Sequence, residues 1–187
     1  MSKDAITVKY NKPSGQAVIG SSKFGGYPHM PEGFVWPYYE GSTYDDVTAN
    51  RPLSFLAQIN LKDVSTYDTE HVLPPKGWLY FFYETETMKW GFDPKDKGCA
   101  RVYFHDADTA DLRETRPPED MHLDYLFPEL HLSFETKPDL PGFEEFVENY
   151  IDCDCDQYEE SQNNLGFFRP ETDDVYTKLL GYADRQV

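Results

Sequence analysis

"GWLYFFYE" (77–84) places six apolar or aromatic residues in a row between a glycine and a glutamate. In an extended chain successive side chains point to opposite faces, so a run apolar on both faces reads as a central strand covered from both sides. The other reading is a strand whose second face lines an aromatic groove. Two other runs read as strands as well. "LSFLAQINL" (53–61) and "ARVYFHD" (100–106) are rich in β-branched and aromatic residues and are bounded by Pro, Gly or Asp, which is how strands are delimited. Alternation in the first puts Phe55, Ala57, Ile59 and Leu61 on the face predicted to meet the core, with Leu56, Gln58 and Asn60 on the other. Towards the N-terminus "AITVKY" (5–10) and "QAVIG" (16–20) flank "NKPSG" (11–15), and this turn chemistry predicts a hairpin.

Beyond residue 110 the pattern changes. "RPPED" (116–120) breaks the chain, and "LPGFEEFVENYI" (140–151) sets Phe143, Phe146, Val147 and Tyr150 at helical spacing, with Asp139 as a candidate cap and Pro141 in the first turn. A second helix is predicted over "TDDVYTKLL" (172–180), opening on Thr172 with two acids and closing on Gly181. Strands first and helices later indicate an α+β fold. The expectation is one domain over 1–187, mainly antiparallel β-sheet with long loops such as 63–76 and two or more helices in the C-terminal half.

The 187 residues include 17 Lys and Arg against 34 Asp and Glu, a formal charge of −17, and such a field repels phosphate backbones and anionic lipid surfaces. Neither nucleic acid nor membrane is expected as a partner. No charged-then-apolar leader opens the sequence and no apolar run approaches a membrane-spanning length, so the expected location is the cytoplasm. Three cysteines do not make a disulfide framework and fit a reducing compartment.

Few motifs carry chemistry. In "DCDCD" (152–156) five potential ligands follow one another, but no second Cys or Cys-His pair completes a structural zinc site, so the segment reads as an acidic surface loop and no metal or cofactor is expected. From Asp139 to Glu160 there are nine acids and no Lys or Arg. Within it Glu144, Glu145, Glu148, Asp152, Asp154 and Asp156 form a candidate binding patch for a basic partner, against the alternative of a solubilising face. The five histidines are scattered. His105 beside Asp106 is the pair that would suit acid–base work, but no nucleophile accompanies it, and no catalytic residue is assigned. Rings at Tyr27, Trp36, Trp78 and Tyr80, with Tyr38 and Tyr39 nearby, could line a ligand groove, against the alternative that they are core.

Four segments in series, "SKFGGYPHMPEGFVWP" (22–37), "PLSFLAQINL" (52–61), "LPPKGWLYFFYE" (73–84) and "KLLGYADRQV" (178–187), resemble the YwqG-like family of bacterial proteins, a domain-of-unknown-function family (DUF1963). The resemblance implies an α+β fold dominated by antiparallel sheet and transfers no catalytic residues. It also implies a second half after the "LLGY" segment, so the chain is expected to be a short or C-terminally truncated member. In the first segment glycines permit turns that a Cβ would block while prolines fix an extended course, so it is expected to clasp the sheet through Phe24, Phe34 and Trp36. The function expected is that of a non-enzymatic acidic protein docking a basic protein partner, as immunity or antitoxin-like proteins do. The alternatives are a metal-assisted hydrolase using carboxylates and His105, and an aromatic-groove module for a small ligand, glycan or peptide.

Overall fold

The computed structural model of the chain describes residues 3–13, 15, 17–106, 109–149, 153–164 and 177–182. Their fold is mainly antiparallel sheet, and two of its helices lie in the C-terminal half, as the order of strands and helices predicts. They belong to two compact units, one of residues 10–63 and 74–132, the other of residues 1–9, 64–73 and 133–187.

In the larger unit β6 (Ser54–Asn60) pairs with β7 (Trp78–Tyr83), and β8 (Ala100–His105) adds outside β7. The two-residue β2 (Lys23–Phe24) joins β6 to the start of β10 (Leu130–Asp139). Hydrogen-bonded on both sides, β7 is the central strand its sequence predicts. Trp78, Tyr80 and Phe82 are 1%, 0% and 2% exposed, whereas Leu79, Phe81 and Tyr83 on the opposite face are half-buried. Two small sheets complete the unit, β3 (His29–Pro31) with β9 (Leu112–Glu114) and β4 (Tyr38–Ser42) with β5 (Thr48–Pro52). Two of the three expected rings clasp the sheet, Phe34 stacking on Phe82 at 5.9 Å and Trp36 meeting the same ring edge-on at 5.2 Å, whereas Phe24 is itself a strand residue, in β2. The segment also supplies strands β2 and β3, which makes it part of the sheets it holds.

The alternation predicted for β6 is interrupted. Its register against β7 slips between Phe55 and Ala57, leaving Leu56 as the extra residue of a bulge. Phe55, opposite Phe82, shares the core face with Tyr80 and Trp78. Beyond the bulge Gln58 and Asn60 oppose Tyr80 and Trp78, while Ala57 and Ile59 oppose Phe81 and Leu79. All the predicted core positions are buried, but they are divided between two faces, and a glutamine takes a core position.

Gln58 has no solvent contact, so its amide must be satisfied internally. Its Oε1 accepts the His29 backbone N–H at 2.7 Å and its Nε2 donates to the Ser21 carbonyl at 2.7 Å. His29 Nδ1 accepts the Gly20 N–H at 3.0 Å and lies 3.0 Å from Gln58 Nε2. The neutral ring therefore carries its proton on Nε2, 3.4 Å from Lys23 Nζ. Lys23 is fully buried; it donates to the Tyr27 carbonyl at 2.6 Å and pairs with Glu129 at 2.8 Å. Two glycines make this approach possible. Gly25 and Gly26 have φ of +55° and +65°, and a Cβ on Gly25 would collide with the Pro128 carbonyl oxygen.

In the smaller unit the hydrogen-bonded order is β11-β1-β10. β1 (Lys3–Asn11) pairs with β11 (Lys178–Leu180) through Ala5↔Leu180, Ile6↔Leu179 and Thr7↔Lys178. The hairpin expected over 5–20 does not form, because residues 17–20 are not a strand. Turn chemistry marks where a chain reverses and leaves open what its strand pairs with. The helix expected over 172–180 is corrected as well: 178–180 is β11, and 172–176 lie outside the described residues. Gly181, read as a helix stop, serves a close approach, since a Cβ there would collide with the Asp139 carboxylate. Asp139 Oδ2 accepts the Tyr182 N–H at 2.7 Å and Lys178 Nζ at 2.9 Å, so Asp139 braces β11 and is not a helix cap. The predicted amphipathic helix forms as α2 (Phe143–Asn149) with Phe146 buried, and Tyr150 lies outside the described residues.

The buried His29 generates a pH dependence. Burial first, and then the Lys23 ammonium, lowers its pKa from 6.5 to about 4, with Glu129 opposing. Below 6.5 the unfolded chain takes up a proton that the folded one refuses until about 4, so stability is lost as pH falls through that window. Urea unfolding should show roughly 2 kcal/mol less stability at pH 5 than at pH 7, and His29→Gln should flatten the dependence across the same interval.

Candidate functional site

The acidic stretch is more ordered than a surface loop. After α2 the chain forms α3 (Cys155–Asn164), whose first two residues belong to the 152–156 segment expected as an acidic surface loop. Asp154 Oδ1 accepts the Gln157 N–H at 2.9 Å, and Gln157 Oε1 accepts the Asp154 N–H at 3.2 Å. This reciprocal arrangement is a capping box, and Asp-x-x-Gln at 154–157 was its legible signal. Tyr158 locks α3 onto α2. Its ring lies 5.1 Å from Phe146 and 5.5 Å from Phe143, and its hydroxyl donates to the Pro141 carbonyl. Leu140 and Cys153 complete the cluster.

From this pair of helices Glu144, Glu148, Asp154, Asp156, Glu159 and Glu160 are exposed, and Glu145 is half-buried. Asp152 lies outside the described residues. Among the described residues no Lys or Arg pairs with any of these seven acids, whereas Asp139 is answered by Lys178. Helix ends account for some of them: Glu144, Glu145, Asp154 and Asp156 stand where the dipole favours negative charge. Glu148 near the end of α2, and Glu159 and Glu160 past the first turn of α3, have no such local reason. Among the described residues no three His, Cys, Asp or Glu side chains are placed to hold a metal ion.

The larger unit has a cleft of ≈ 270 Å³ lined in part by Arg51, Glu84, Glu86, Asp120, His122 and Tyr125. Arg51 bonds Glu84 at 3.2 Å, Glu86 at 2.9 Å and the Gly41 carbonyl at 3.2 Å. Burial pushes the Glu84 pKa up, but hydrogen bonds from Thr87 and the Arg51 guanidinium outweigh it and hold the carboxyl below the usual range. Burial, then the charges of Glu86, Asp124 and Glu84, raise the Tyr125 phenol. Arg51 and Glu84 are thus committed to each other and to the turn 84–87. The cleft joins no nucleophile to an oriented base.

The four rings expected to line a groove do not converge. Trp78 and Tyr80 face the core because they alternate inward along β7. The Trp78 indole N–H donates to the Gly20 carbonyl at 2.8 Å, the Tyr80 hydroxyl to the His29 carbonyl at 2.8 Å, and burial pushes that phenol up. Trp36 is 8% exposed and donates to the Leu53 carbonyl, and Tyr27 is 37% exposed. A groove does exist with other walls, where Phe34, Trp36 and Tyr38 run beside Arg101 and Tyr103. Of the acid–base pair, Asp106 is bound to Lys76 at 3.0 Å, and His105 ends β8.

The order of the acidic face depends on its small aromatic cluster. Phe146→Ala should cost about 3 kcal/mol, read by hydrogen exchange as early loss of protection over 143–149 and 155–160 while β6 and β7 amides stay protected.

No curated protein matches the chain. The sequence profile of the family described as Domain of unknown function (DUF1963) matches residues 22–186, from the residue before the buried Lys23 almost to the last. With nearly the whole sequence inside that match, the chain belongs to the DUF1963 family.

Proposed function

We propose that this protein acts by contact, docking a basic protein surface on its α2–α3 face, in the manner of an immunity or antitoxin-like protein. The observation that supports this most is the set of exposed acids on two packed helices that form no ion pair with Lys or Arg among the described residues. Charge is also unevenly divided along the chain. The smaller unit has six Lys and Arg against 17 Asp and Glu, the larger 11 against 17. A dense negative face of this kind steers a cationic partner and speeds its association. Because the acids sit on ordered helices, little backbone ordering remains to oppose binding.

The test screens the full chain against the proteins encoded by its neighbouring genes and follows the association kinetics of a basic one that binds. Raising NaCl from about 0.05 to 0.5 M shortens the Debye length, and the association rate should fall by about tenfold or more. The combined change Glu148→Gln, Glu159→Gln and Glu160→Gln should lower that rate at low salt and leave dissociation little changed. An association rate indifferent to both salt and these substitutions would remove the basis of this reading.

A further inference from the structure

We propose that the outer edge of β8, with the aromatic groove beside it, receives an extended segment of a partner polypeptide as an added strand, and that a carboxylate of this segment meets Arg101. The proposal concerns the larger unit and does not rest on the acidic face.

β8 pairs with β7 over all six of its residues and stands at the end of the strand order. Among the described residues no backbone group bonds to its other side. Exposed edges of this kind are ordinarily protected by charged side chains, a proline, a bulge or a covering element. The sequence "ARVYFH" has no proline, its register with β7 is continuous, and its one formal charge is Arg101. Both faces of the strand offer contact area. Val102 and Phe104, 61% and 50% exposed, lie on one face. Arg101 and Tyr103 lie on the other, opposite Phe82 and Tyr80.

On that second face the segment 34–38 runs alongside β8 and leaves a groove of ≈ 460 Å³ between Phe34, Trp36 and Tyr38 on one wall and Arg101 and Tyr103 on the other. Phe34 and Tyr103 fix the floor, meeting edge to face at 5.5 Å. A strand added to β8 would continue the ladder, placing alternate side chains in this groove and the remainder beside Val102 and Phe104. Backbone bonds would give affinity, and the groove would give side-chain preference.

Arg101 decides the chemistry of the guest. It is exposed and, in a chain with twice as many acids as bases, forms no ion pair among the described residues. Its guanidinium lies over Gly98, whose φ is +101° and where a Cβ would come within 2.9 Å of Nη2. An exposed guanidinium with no carboxylate of its own favours one on the guest, which it binds in a bidentate manner. The same feature argues against a second copy of this chain as occupant, because "ARVYFH" contains no acid to answer Arg101.

The test is to pan a phage-displayed random peptide library against the full chain and against its Arg101→Glu variant. The wild type should enrich extended sequences with large apolar residues at alternate positions and Asp or Glu at one fixed position. Arg101→Glu should enrich Lys or Arg at that position instead. A synthetic version of the enriched peptide should protect the amides of 100–105 from exchange, and N-methylation of its bonded backbone edge should weaken it at least tenfold. No enrichment, enrichment identical for both proteins, or protection elsewhere would overturn the proposal. So would a dimer that protects 100–105 without peptide, since it would assign the edge to a second copy.

Discussion

Lys23 has no contact with solvent, and its charge is answered by Glu129 at 2.8 Å. Leaving such a charge alone costs about 3–5 kcal/mol, against a total stability of about 5–15 kcal/mol for a typical domain. The surroundings of the pair are correspondingly fixed. β2 is only two residues long, yet it bridges β6 and β10, because Lys23 is opposite Gln58 on one side and His131 on the other. The Tyr27 carbonyl must turn inward to accept from Lys23, which requires the left-handed Gly25 and Gly26. His29 must stay neutral beside an ammonium, which its two Nδ1 contacts and its burial ensure. The glycine-rich segment before the main strands is thus shaped by one buried charge as much as by its rings.

That charge was invisible to the sequence. A lysine between Ser22 and Phe24 looks like any exposed lysine, and its partner is 106 positions away. β7 was legible because six apolar residues in a row leave an extended chain few places other than a sheet centre. α2 was legible through its helical spacing of rings. The bulge at Leu56 was not, since no glycine or proline marks it, and a shift of one residue moves every later side chain to the other face. β11 was hidden for another reason. Three residues are too few to show a period, and their strand character comes from Ala5 to Thr7 at the far end of the chain.

The candidate site was half legible. Composition identified the acidic stretch; of its described members Glu144, Glu148, Asp154, Asp156, Glu159 and Glu160 are exposed, Glu145 is half-buried and Asp139 is an internal brace. Local order was the missing element. A run of carboxylates suggests a solvated loop, but the Asp154 and Gln157 exchange and the Tyr158 ring convert the run into helix. The aromatic nominees failed for a physical reason of their own: strand alternation sends every second ring inward, so Trp78 and Tyr80 were committed to the core by the same pattern that made β7 recognisable. Trp36, with the neighbouring Tyr38, does line a groove, through the segment 34–38 that packs on the sheet face.

The two surfaces proposed for contact differ in range, and this bears on what each can discriminate. Charge on α2 and α3 acts over about a Debye length, so it selects partners by sign and density and is tolerant of their shape. The edge of β8 acts only at hydrogen-bond distance, where strand register and the groove above the Phe34–Tyr103 contact admit some sequences and exclude others. A protein with only the first would bind many basic surfaces, and one with only the second would bind slowly. Arg101 sharpens the division, because a cationic partner suited to the acidic helices gains nothing from a guanidinium. The two surfaces therefore call for ligands of opposite charge, or for one partner whose basic face and acidic extended segment are separate.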